Sequence, residues 1–266
     1  MAVKPEGHPC WADAMFTDLE GAKTFYGEVL GWTFGESATE LGNYTEAYHD
    51  GKAVAAIVPP MPGQEAPSQW CLYLASPDAA ATAEKIRAHG GELLMEPMTV
   101  GDFGTMCLAR DPSGAVFGVW QAGTHEGFEA EMGSPGAYCW AEVFTRDPEK
   151  ADTFFPAVFP YQVKEMRDQE IDFRVYEADG APVLGRMEMT EEFPPEITPY
   201  INVYFAVPDC DAAVAKATER GGVLRFGPMT TPFGRFAALG DPQGASFSVI
   251  DVTTTEGETP PTVDVT

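Results

Sequence analysis

The chain has 266 residues, 44% hydrophobic and 12% aromatic, which exceeds what one small core needs and suits two domains of about 100 to 150 residues each. Its formal charge of −25, from 41 acidic and 16 basic residues, repels phosphate backbones and anionic lipid, so nucleic acid and membrane surfaces are excluded as expected partners. No continuous run of roughly 18 apolar residues occurs, and the five cysteines are odd in number with no C-x-x-C pair, so a cytoplasmic protein with reduced thiols is expected.

In chain order, Trp11 to Phe16 reads as a strand. Thr17 and Glu20 have the spacing of a capping box, and Leu19, Ala22, Tyr26 and Val29 recur at helical spacing until Gly31 stops the helix. Tyr44 to Tyr48 and Ala53 to Val58 read as a hairpin across Asp50-Gly51, a pair that supplies the positive φ angles of a two-residue turn. Trp70 to Ala75 is the next strand. Asp78 then opens a helix with Ala79, Ala83 and Ile86 on one face, ended by Gly90-Gly91. Asp111-Pro112-Ser113-Gly114 has the residue types of a type I turn and closes a last hairpin.

The same order then repeats. PCWADAMFTDLEGAKTFYGEVLGW from Pro9 returns as YCWAEVFTRDPEKADTFFPAVFPY from Tyr138, and the turn at Asp111 returns at Asp241. Residues 1–122 and 137–252 are therefore two copies of one domain. Residues 123–136, with four glycines and a proline, read as the linker, and residues 253–266 as a flexible tail. The expected fold is α+β, each copy being two βαβββ units.

This duplicated order, with the phrase DLEGAKTFYGEVLGW, the paired glycine stops and DPSGAVF, resembles the vicinal-oxygen-chelate superfamily of glyoxalases, bleomycin-resistance proteins and dioxygenases. The two-domain actinobacterial glyoxalase-like, "hydroxylase"-named type is the most similar variety. The resemblance implies a sheet curled around a cleft in each domain, and in metal-dependent members His and Glu or Gln ligands on cleft-facing strands. At the two diagnostic positions this sequence has Trp11 and Trp140 in place of the first-strand His, and Gly118 and Ser248 in place of the last-strand Glu. None of His8, His49, His89 and His125 falls on a ligand position, so no metal or other cofactor is expected.

Strand alternation puts Asp13 beside Trp11 and Glu142 beside Trp140, a Trp-x-acid pattern present in both copies. An indole beside a carboxyl can stack a flat ligand and pair its donor. Trp11, Asp13, Trp140 and Glu142 are the candidate ligand-binding residues. Tyr48, Trp70 and Trp120 are further aromatics placed to line the first cleft, and Tyr176 and Tyr204 the second. The plain alternative is that the indoles fill a degenerate cleft. No catalytic residue is assigned.

Three functions stay open from the sequence. One is a metal-free member that binds a small aromatic molecule as a monomer or homodimer. Another is a superfamily enzyme, a lyase, isomerase, dioxygenase or hydroxylase, with an atypical divalent-metal site. An interaction module with filled clefts is a third.

Overall fold

The computed structural model describes residues 4–60, 68–167 and 171–265. In the first copy, β1 (Pro9–Met15), α1 (Leu19–Leu30), β2 (Thr33–Phe34), β3 (Thr45–His49) and β4 (Lys52–Val58) make one βαβββ unit. The second unit is β5 (Trp70–Ala75), α2 (Ala79–Ala88), β6 (Glu92–Val100), β7 (Gly104–Arg110) and β8 (Val116–Ala122). The second copy repeats this with β9 (Tyr138–Thr145), α3 (Pro148–Val158), β10 (Gln162–Arg167), β11 (Asp172–Ala178) and β12 (Ala181–Glu188). It continues with β13 (Tyr200–Ala206), α4 (Cys210–Glu219), β14 (Val223–Thr231), β15 (Gly234–Gly240) and β16 (Ser246–Asp251). A final strand, β17, covers Thr262–Asp264.

Each copy folds into one mixed sheet. The first runs β2-β3-β4-β1-β5-β8-β7-β6 and the second β14-β15-β16-β13-β9-β12-β11-β10-β17. The antiparallel pairs β1 with β5 and β9 with β13 join the two units of each copy at the centre of its sheet. The Asp50-Gly51 hairpin forms as expected, with φ of 50° and 75°.

The helix-bearing faces of the two sheets meet in a shared aromatic core. Trp70 and Trp32 pack against Phe205, Tyr26 against Phe247, and Phe117 against Phe154 and Phe155. The Tyr26 hydroxyl accepts from Trp70 Nε1 at 3.0 Å and donates to Asp241 Oδ2 at 2.8 Å, fastening the first copy to the last turn of the second.

At three places the structure adds to the sequence reading. Asp18, not Thr17, caps α1, accepting from the Gly21 amide at 2.9 Å, because the residue directly before the first helical residue is the one whose carboxyl reaches that amide, as Asp78, Asp147 and Asp209 do for the other three α-helices. The tail is not free along its length, since β17 pairs with β10. The 123–136 segment is fastened to the first copy: the Phe128 amide donates to the Cys10 carbonyl at 2.8 Å and the Glu129 amide to the Ala53 carbonyl at 2.9 Å. Phe128 is buried there.

Candidate functional site

Ala12 and Ala14 of β1, and Phe16 just after it, are buried on the helix side, so strand alternation turns Trp11 and Asp13 to the opposite, concave face. There the Tyr44 hydroxyl accepts from Trp11 Nε1 at 2.7 Å and donates to Asp13 Oδ2 at 3.2 Å. Tyr73, opposite Trp11 on β5, donates to the same oxygen at 3.0 Å. In the second copy Trp140 Nε1 donates to Glu142 Oε1 at 3.2 Å, and Tyr204, opposite Trp140 on β13, donates to Glu142 Oε2 at 2.8 Å. Indole, carboxyl and phenol thus recur as a unit. Aspartate needs Tyr44 to reach its indole, whereas the extra methylene of glutamate closes the same distance directly.

Burial pushes both carboxyls up, Asp13 and Glu142 each to about 7, against the opposing pull of the tyrosine hydrogen bonds. Near neutrality each can therefore donate or accept a proton. The folded state holds a proton that the unfolded chain has released above the ordinary values of 3.8 and 4.5, so this contribution to stability is present at low pH and lost as pH rises toward about 7. Replacing Glu142 with Gln is expected to flatten the loss between those limits by about 3 kcal/mol. Urea midpoints of parent and variant across that pH range measure it, and parallel curves would refute the assignment.

The residues at the positions where the resemblance implies metal ligands, Trp11, Trp140, Gly118 and Ser248, do not fit a divalent ion. An indole nitrogen has no free lone pair in the ring plane, unlike imidazole. At Gly118 the Tyr73 ring covers the backbone so closely that an added Cβ would collide with it. Ser248 Oγ accepts from Asn202 at 2.8 Å. Among the described residues no group of three or more His, Cys, Asp or Glu converges on a possible metal position.

Of the other expected residues, Tyr48 shares its face with Glu46 and hydrogen-bonds it. Trp120 is also on the concave face, its Nε1 donating to the His125 carbonyl at 2.9 Å. Trp70 is a correction: it projects to the helix side of β5, 1% exposed, because the cleft-facing residues of that strand are Cys71 and Tyr73. Tyr176 is likewise turned away, stacked on Tyr161 and donating to Asp152 at 2.8 Å. Sequence reasoning missed Tyr44 and Tyr73, whose strand period was readable but whose link to Asp13 was not. It also missed His125 and Phe128, whose rings pack on Trp11 at 4.5 and 5.6 Å.

Comparison with known proteins locates relatives. The Glyoxalase/Bleomycin resistance protein/Dioxygenase superfamily is matched by residues 11–119. The "Putative glyoxylase CFP32" of Mycobacterium tuberculosis is 38% identical over 92% of this chain and 95% of its own length. The "Anthracycline biosynthesis protein DnrV" of Streptomyces peucetius is 36% identical over 92% of this chain and 94% of its own. Among solved structures, the Mn(II)-bound glyoxalase of Novosphingobium aromaticivorans has a TM-score of 0.64 at 16% identity, covering 95% of this chain and 86% of that one. The 2,3-dioxygenase LapB of a Pseudomonas species also scores 0.64, at 13% identity, covering 98% and 96%. At such identities the likeness is one of fold.

Proposed function

Since the chain belongs to the glyoxalase, bleomycin-resistance and dioxygenase superfamily, we propose that it is a member that binds a small aromatic molecule in a cleft without a metal ion. The observation that supports this most is the repeated indole, carboxyl and tyrosine cluster, whose indoles, Trp11 and Trp140, occupy the positions at which the family resemblance implies a histidine ligand. An indole face gives a stacking surface, and a carboxyl poised near neutrality pairs a hydroxyl or a carbonyl. The name of DnrV, an anthracycline biosynthesis protein, fits a flat polycyclic compound as the ligand class.

Titration with a dihydroxyanthraquinone, followed by quenching of tryptophan fluorescence, tests the reading. Saturable binding in the micromolar range, unchanged by EDTA, is the expected result. Absence of binding, together with stoichiometric manganese, iron, nickel or zinc in protein purified without chelator, would overturn it.

A second reading is favoured by the protonation behaviour of Asp13 and Glu142, each set to about 7. A group with that property is suited to general acid and base work at neutral pH. On this reading the chain is a superfamily enzyme that moves a proton on its bound ligand. Turnover of a relative's substrate that falls at least tenfold in Glu142→Gln with little change in KM would favour it over binding alone.

A further inference from the structure

The duplication supplies an internal comparison, two clefts with the same floor and different contents. In the first, the segment after β8 turns back over the concave face. Its course is fixed by the Gly123 amide on the Phe103 carbonyl at 2.8 Å and the Phe128 amide on Cys10. The His125 ring stands edge-on to Trp11 and 5.7 Å from Trp120, Phe128 packs on the same indole, and Trp11 is left 4% exposed. His125 Nδ1 also lies 4.0 Å from Glu46, so the imidazole is held from three sides.

Counted from the paired turns at Asp111 and Asp241, the residues in register with His125 and Phe128 are Thr255 and Glu258, both exposed and neither with a ring. The tail there runs past β14, the Glu256 amide donating to the Thr231 carbonyl at 3.0 Å, before β17 joins β10. Among the described residues no ring packs on Trp140, which is partly exposed.

We propose that the second cleft alone takes the ligand, a planar polycyclic phenol or quinone, and that the first is filled by the chain's own 123–136 segment. This rests on the aromatic-ligand reading above. The rings that fill the first cleft show what the common floor accepts, and over Trp140 no such ring stands among the described residues, Phe193 reaching only Phe144, at 5.8 Å. The surroundings of Glu142 agree with a wide, flat occupant. Phe144 stacks on Tyr200 at 5.1 Å, Phe236 lies 6.0 Å from Tyr204, and Phe226 lies 6.0 Å from Phe236. Phe173 closes over Gly185 beside the carboxyl, where an added Cβ would be 2.7 Å from the phenyl and 2.8 Å from Glu142 Cγ. Toward the rim the apolar surface is open to solvent, Phe226 being 55% and Met229 41% exposed. The polar groups of this floor, Glu142, Tyr204, Asn202 and Ser248, lie together, which suits a ligand with its oxygens at one edge and fused rings elsewhere.

Equilibrium dialysis of the full chain against the same dihydroxyanthraquinone reads the number of sites. One ligand per chain is expected, with affinity at least tenfold weaker in Trp140→Ala and in the nearly isosteric Glu142→Gln, the latter guarding against a folding defect in the former. Two ligands per chain, or one ligand whose affinity neither variant alters, overturns the assignment to the second cleft while leaving aromatic binding intact. Failure of the parent to take up any probe overturns both.

Discussion

Replacing Trp70 with alanine is expected to cost about 3–5 kcal/mol of stability, the range for emptying a large aromatic site in a packed core. The indole touches Phe16, Tyr26, Trp32 and Phe205, with ring centroids between 5.1 and 6.4 Å. Its loss also removes the donor to the Tyr26 hydroxyl, which bridges to Asp241 in the other copy. Trp70→Phe keeps most of the ring packing and loses the donor, so a smaller cost is expected. Urea denaturation measures both. Ligand affinity per folded molecule should be unchanged, since Trp70 faces away from the cleft, and a selective loss of affinity in a stable Trp70→Phe protein would contradict that placement.

Asp152→Ala should have an effect of similar size for an electrostatic reason. Arg186 is fully buried, and its guanidinium reaches Asp152 through Nε at 3.1 Å and Nη2 at 2.7 Å, and Asp172 at 2.9 Å. The Tyr176 hydroxyl also donates to Asp152. Removing that carboxylate leaves the buried cation with Asp172 alone and takes the acceptor from the Tyr176 phenol, and losses of about 3–5 kcal/mol are typical of breaking a buried pair. Adding Arg186→Met to Asp152→Ala should recover part of the loss, because the uncompensated charge disappears. Equal urea midpoints for the single and double variants would show that packing, and not charge, dominates at this position.

The fold was legible because two copies told the same story. The βαβββ order, the Asp50-Gly51 hairpin and the paired turns at Asp111 and Asp241 rest on local rules, and each occurs where its residues imply. The pairing of indole with acid followed from strand alternation alone. Trp70 shows where that rule stops: alternation groups residues into faces without saying which face is the cleft, and β5 carries aromatic residues on both. The cap of α1 was read one residue early, at Thr17, because the Thr17–Glu20 spacing imitates a capping box, whereas each of the four α-helices is capped by the Asp directly before it. His125 and Phe128 lie in a stretch without apolar period. Their role comes from a few backbone hydrogen bonds and one buried ring, so composition alone marked the segment as a connector.

The core lies on one side of each sheet and the candidate sites on the other, with Tyr26 and Asp241 clasping the copies from behind. A change of side chain on a hollow face therefore need not disturb the scaffold that both halves share. That separation gives a duplicated protein latitude: one hollow can be given over to the molecule's own backbone while its twin keeps experimenting with guests.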